Sequence, residues 1–400
     1  MEGVHDWLNQ LKLRASFGQQ GNDGIGGWYA WSDQYNISGK DFWTDGKLNY
    51  KGNKDITWET SNNFNIGLDF VLWNNKLFGN IEYFSRQTSD MLYYRPVAPS
   101  LGYSSIPMNV GSVRNNGVEI ELTYTPIRTK DLEWSIKGNL TYLNSKVIKL
   151  APELGGWWQT ASNVYIEGES MYQWYLVDFA GIDPSSGRPL YWAWEWEMDG
   201  DNKPVLDKFG QKVPKAGSEY VTPTYSSDYR RKQGNSLPHF YGGFGTNLSW
   251  KGLDFGVSFG YQIGGKVMDY GYMNLINQGA SGDMGKNWSV DIRDAWTPEN
   301  RYTNIPRMNS QEGTSYLGSS NYFMADASYL SLNNITLGYT LPQNWTRKIK
   351  LESVRIYGAA DNVALWSARK GFDPRQGYWS TNATTYTGMR CISGGIKVVF

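Results

Sequence analysis

Asn63-Phe64-Asn65-Ile66-Gly67-Leu68-Asp69-Phe70-Val71-Leu72 runs into Trp73-Asn74-Asn75-Lys76 and returns through Leu77-Phe78-Gly79-Asn80-Ile81-Glu82-Tyr83. Phe64, Ile66, Leu68, Phe70 and Leu72 alternate with Asn63, Asn65, Gly67 and Asp69, which makes one face of the first arm apolar. A period of two sends successive side chains to opposite faces of a strand. The four middle residues read as a tight turn, because Asn tolerates the left-handed backbone that a hairpin demands. Leu77, Gly79, Ile81 and Tyr83 carry the return arm against Asn80, Glu82 and Arg86. Arms of about ten residues with one apolar face are long enough to cross a bilayer in a closed barrel.

The same rhythm extends in both directions. Alternation predicts strands near residues 10–19, 61–72, 77–87, 116–126, 132–143, 238–249, 253–263, 329–341, 353–363 and 391–400. Short connections fall at 73–76, around Pro126 to Asp131, at Lys251-Gly252 and from Pro342 to Leu351, and each is followed by a long one. The longest excursion, 144–237, shows no clear strand rhythm and far exceeds the usual connection length. A water-soluble β-sandwich also alternates. Against it stand the uniform strand length, the regular long and short connections, and a polar face that mixes Asn, Glu, Lys, Thr and Gly as a wet lumen would. The expected fold is all-β: an antiparallel transmembrane barrel segment of about ten strands, with short periplasmic turns and long extracellular loops.

Composition is consistent with this. Mean hydropathy is −0.54 and no run of 18 apolar residues occurs, which excludes helical membrane spans but not strands that meet lipid on alternate residues. Lys and Arg number 38 against 38 Asp and Glu, so charge gives no reason to expect a nucleic-acid partner. Cys391 is the single cysteine, which rules out an internal disulfide framework or a cysteine metal site. The start, Met1 to Trp7, has neither a basic nor an apolar leader region. That start fits either a cytosolic chain or a piece of a longer protein, and the strand pattern favours the piece.

Catalytic patterns are absent. The histidines are His5 and His239, and no metalloprotease, nucleophile-elbow or phosphate-loop spacing occurs. Glu119 and Glu121 share one strand face and read as lumen charges rather than an acid/base pair. Asp199-Gly200-Asp201-Asn202 starts like a calcium loop but lacks the later ligands, so it reads as an acidic turn, and no metal or cofactor is expected. Aromatic residues carry the functional signal. Trp157, Trp158, Tyr172, Trp174, Tyr175, Tyr191, Trp192, Trp194 and Trp196 all lie in the longest excursion, where flat rings suit stacking on sugars, apolar parts of peptides or a partner protein. Trp192, Trp194 and Trp196 alternate with Ala193 and Glu195, and so also suit one face of a protruding hairpin. Trp73, Trp134, Trp250 and Tyr261 near strand ends read as an interfacial girdle.

Several blocks then fit a known pattern. They are Leu11-Lys12-Leu13-Arg14-Ala15-Ser16-Phe17-Gly18 with Gly21-Asn22, Trp58-Glu59-Thr60 with Asn63 to Gly67, and Asn115-Asn116-Gly117-Val118-Glu119. Gly181-Ile182-Asp183-Pro184-Ser185-Ser186-Gly187, Tyr329 to Tyr339 and Val354-Arg355-Ile356-Tyr357 complete the set. In this order the chain resembles the SusC/RagA family of TonB-dependent outer-membrane transporters of Bacteroidetes. The resemblance implies the last ten strands of a barrel of roughly 22, with the signal peptide, TonB box, plug and earlier strands in a missing amino-terminal part. It implies residence in the cell outer membrane among its lipids, and energised uptake of an oligosaccharide or peptide with a SusD-like surface lipoprotein. TonB-ExbB-ExbD would act through the missing part, no covalent chemistry would be done, and Phe400 would serve as the assembly signal. Ten strands cut from a larger barrel leave two open edges, which lipid does not tolerate. The alternative is a non-transport barrel, an adhesin or structural protein; a secreted sandwich lectin is a third reading.

Overall fold

A computed structural model describes residues 7–37, 46–276, 287–308, 317–377 and 386–400; His5 lies outside them. The framework is one ten-stranded antiparallel sheet in chain order: β1 (Leu8–Asn22), β2 (Glu59–Leu72), β3 (Leu77–Ser89), β4 (Ser112–Arg128), β5 (Leu132–Lys149), β6 (Phe240–Trp250), β7 (Leu253–Ile263), β8 (Tyr329–Thr340), β9 (Ser353–Trp366) and β10 (Cys391–Val399). Each strand pairs with the next. Among the described residues nothing pairs with the second edge of β1 or of β10, so the sheet is open. Cys391, exposed, opens β10, and Phe400 follows it.

Local chemistry sets the tight ends. Trp73, Asn74 and Asn75 all take positive φ between β2 and β3, at 53°, 55° and 64°. Lys251 and Gly252 do the same between β6 and β7, at 46° and 91°. The β4–β5 turn closes on Thr129, whose N–H and hydroxyl both donate to the Leu132 carbonyl. The fourth tight end holds the helical turn Gln343–Thr346 and a 3-10 turn over Arg347–Ile349.

Several strands outrun the alternation that announces them. β5 continues to Lys149 because Ser145 and Val147 remain paired with Asn115 and Val113 and are covered by loop rather than lipid. Beyond the bilayer the rule of apolar-out, polar-in lapses, and with it the sequence signal.

The polar face carries two arginine straps. Arg14 on β1 pairs with Asp69 on β2 at 2.8 Å, and reaches past Gly67 to Glu82 on β3 at 3.1 Å. A Cβ at Gly67 would sit 3.1 Å from the Arg14 guanidinium. Arg355 on β9 likewise reaches Asp254 on β7 at 2.5 Å, across Gly338 on β8. There a Cβ would stand 2.5 Å from Arg355 Nη2. In both straps a glycine on the middle strand leaves the groove that the guanidinium occupies.

The long connections are not loose. Short strands 157–159, 163–166, 173–177 and 230–235 form one sheet, and 179–182, 189–193 and 220–222 another. A third joins 34–37, 46–50, 105–109 and 92–96. At three to six residues each, these strands are too short to show a rhythm in sequence. Trp174 and Leu176 from connection 150–239 pack with Met268, Ile276, Ala295, Ile305, Leu317 and Phe323 from connection 264–328. Two excursions thus share one hydrophobic core away from the barrel wall.

Candidate functional site

The loop body is knit by polar ties as well as by that core. Asp178 accepts hydrogen bonds from Arg231 and from Asn321 Nδ2, while Asn321 Oδ1 accepts the N–H of Phe179 at 2.8 Å. Arg231 also meets Glu219 at 3.1 Å. The Asp269 carboxylate, buried, pairs with Arg369, whose guanidinium lies 4.3 Å from the Tyr272 ring centroid. That pair ties connection 367–390 to the same body.

The segment Asp183 to Gly187 is a second junction. The Asp183 carboxylate accepts from Ser186 Oγ at 2.5 Å and from the Ser185 N–H at 2.9 Å, and these bonds hold it below the ordinary carboxylate range. Trp296 Nε1 donates to the Pro184 carbonyl at 3.1 Å, and the Arg307 N–H donates to the Gly187 carbonyl at 2.9 Å.

The aromatic residues singled out in sequence separate into two groups. Trp174, 2 % exposed, donates its Nε1 to the Lys266 carbonyl at 2.8 Å and fills the shared core. Trp194, 5 % exposed, lies edge-on to Trp196 and Tyr229. Both are interior packing residues, which leaves neither a free face for a ligand. Trp157 packs edge-on to Tyr175, and Trp196 stacks on Tyr229 with Lys212 above its ring. Trp157, Trp158, Tyr172, Tyr175, Trp192 and Trp196 remain half-buried, with part of each ring reachable. The hairpin reading of Trp192 to Trp196 fits bridges Trp196 to Pro214, Met198 to Pro204 and Leu206 to Lys212. Asp199 spends its Oδ1 on the N–H groups of Asp201 and Lys203, each at 2.9 Å, as an acidic turn does. Among the described residues no group of His, Cys, Asp or Glu is arranged to hold a metal.

Trp158 leads to a cavity that sequence reading did not find. Its ring stacks on Tyr165 at 4.9 Å and meets Tyr93 edge-on at 5.4 Å. These rings border a cavity of about 610 Å³ between connections 90–111 and 150–171. Met91, Val97, Leu101, Val113, Leu154 and Met171 are among its aliphatic lining. Arg95 and Glu153, one from each connection, pair beside it at 3.0 Å. Burial raises the Tyr93 and Tyr165 phenols above their ordinary value. Val113 and Val147 in the cavity wall share the sheet face of Glu119, Glu121, Asn139 and Thr141, which is the polar face. No local signal marks this site, because its lining comes from scattered residues on three short loop strands, the ends of β4 and β5, and the turns between them.

The family profile described as TonB dependent receptor-like, beta-barrel matches residues 4–267. TonB-dependent receptor P3 of Formosa agariphila is 28% identical over 388 residues, covering 94% of this chain and 37% of the relative. TonB-dependent receptor SusC of Bacteroides thetaiotaomicron is 25% identical over 92% of this chain and 35% of its own length. The solved structure of the RagAB peptide transporter superposes with a TM-score of 0.80 at 27% identity, over 98% of this chain and 41% of that one. The chain therefore spans about two fifths of the length of the relatives it matches. Such proteins are receptors and transporters of the outer membrane rather than enzymes. The ten-stranded antiparallel sheet agrees with that β-barrel profile, and the chain belongs to the TonB-dependent receptor β-barrel family, as a SusC/RagA-like member.

Proposed function

We propose that this chain is the carboxyl-terminal barrel wall and outer loop body of a SusC-like importer that takes up oligosaccharides or peptides together with a SusD-like surface lipoprotein. The observation that carries the reading is the asymmetry of the sheet. Every tight connection is at one end and every long one at the other, where 150–239 and 264–328 fold into a body with its own core. In bacterial outer-membrane barrels the short turns face the periplasm and the long loops the outside. The loop body is then the surface that a lid and a cargo meet, and Phe400 follows the last strand on the periplasmic side. TonB would act through the part of the receptor that precedes these strands. An adhesin of ten strands is disfavoured by the two unpaired edges, since backbone groups left open in lipid cost several kcal/mol each.

The test is uptake in a cell that makes the intact receptor. Deleting the locus should abolish growth on its cargo while leaving growth on the corresponding monomer unchanged, and deleting TonB should reproduce the loss. Growth that survives both deletions refutes import. Protease applied to whole cells should cut in 195–215 or 290–305 and spare the turn at 73–76; cleavage at the turn refutes the sidedness.

A further inference from the structure

We propose that the cavity bordered by Tyr93, Trp158 and Tyr165 is a subsite for a bulky apolar side chain of a peptide cargo. The inference rests on the import reading above and narrows its substrate class. Three observations carry it. The first is the lining, where aliphatic side chains from both connections and three aromatic rings leave a sugar hydroxyl few partners. At about 610 Å³ the space falls within the roughly 300–1,000 Å³ of small-ligand pockets. The second is charge. Arg95 and Glu153 lie 3.0 Å apart with the Glu153 side chain 54% exposed, which places an anion and a cation together at the solvent side of an apolar space. A peptide offers a matching apolar group with both a cation and an anion beside it; a fatty acid offers an apolar chain and an anion but no cation for Glu153. The third is position, since Val113 and Val147 put the cavity on the polar face of the sheet, above the route that a barrel encloses. Met91 and Met171 in the wall suit a site that accepts more than one apolar side chain.

The experiment compares two synthetic peptides of equal length, differing by Leu or Ala at one position, as competitors for uptake by the intact receptor. Removing three buried carbons should weaken competition by about 50-fold. Ala98 is exposed and lines the cavity, so Ala98→Trp should occupy part of the space with an indole while removing no wall side chain. That variant should bring the Leu/Ala ratio below about 3-fold, whereas Ser100→Trp, on the same segment but outside the lining, should keep it at about 50-fold. A wild-type ratio near one, an unchanged ratio in Ala98→Trp, or competition by an oligosaccharide or a fatty-acyl probe that Ala98→Trp abolishes would each overturn the subsite. TonB-dependent uptake with no side-chain discrimination leaves the import reading intact. Loss of TonB-dependence for every cargo sinks both.

Discussion

Gly187→Ala isolates what holds the two largest connections together. Gly187 is buried at φ 72°, and a Cβ there would sit 2.4 Å from Cδ2 and 2.5 Å from Cε3 of Trp296. Alanine in the left-handed region costs about 1–2 kcal/mol. The indole must retreat by roughly 1 Å to reach ordinary contact, and the Nε1 bond to Pro184, worth about 1 kcal/mol, is lost with it. The lower entropy of the unfolded alanine chain returns about 0.4–1 kcal/mol. The net is a loss of about 1–2.6 kcal/mol, or roughly a 5- to 70-fold rise in opening. Hydrogen exchange on the intact receptor should show that acceleration in peptides covering 181–192 and 294–307, with β6 and β7 unchanged. Gly181→Ala is the control: its φ is 130° but no atom lies within 4 Å of the added Cβ, so it reports backbone strain alone. If Gly187→Ala exchanges within about threefold of wild type, or no faster than Gly181→Ala, then the Trp296 contact does not hold the junction.

Three further outcomes follow from the same packing. Trp174→Ala removes a ring that is 2 % exposed and should cost the loop body about 3–5 kcal/mol, seen as faster proteolysis of 264–308 while the heat-modifiable barrel persists. Arg14→Leu leaves Asp69 and Glu82 without their shared cation; with side-chain exposures of 39%, 31% and 23%, solvent screens the pairs and the denaturation midpoint should barely move. Asp183 titrates below its ordinary value in the folded loop, so its contribution is complete above the unfolded pKa and disappears as pH falls through the lower folded one. Protection of 181–188 should therefore drop only below about pH 4, and Asp183→Asn should remove that acid limb.

The barrel wall was legible because lipid enforces a rule that water does not. Phe64 to Leu72 and Leu77 to Tyr83 must alternate to span a bilayer, and the Asn74-Asn75 turn between them needs residues that accept positive φ. Where loop replaces lipid, at Ser145 and Val147, the alternation stops informing and the expected strand end falls short. The loop sheets were illegible for a related reason. Trp157 to Gln159 is three residues long, and its pairing with Val164 to Ile166 is a matter of contacts, not of period. The Asp183 to Gly187 block stood out in sequence by resemblance alone, and its physical reason, the indole of Trp296 against Gly187, lies over a hundred residues away in the chain.

The division of the aromatic residues bears on how the outer face can move. Trp174 and Trp194 are spent on packing, and Arg231, Asp178 and Asn321 bridge 150–239 to 264–328 with charge-assisted bonds. Arg369 on Asp269 fastens connection 367–390 to the same unit. Opening inside that unit would expose the shared core and leave the buried Asp269 carboxylate without its cation, a cost of several kcal/mol. Connections 23–58 and 90–111 stand outside that core, in a separate sheet that contacts the unit through Tyr93 on Trp158 and Arg95 on Glu153. The cheap place to part is therefore the seam between those two sets of loops, and the apolar cavity lies in that seam. A ligand seated there, as proposed above, would touch residues of both sets of loops at once, and so would favour the arrangement in which they meet.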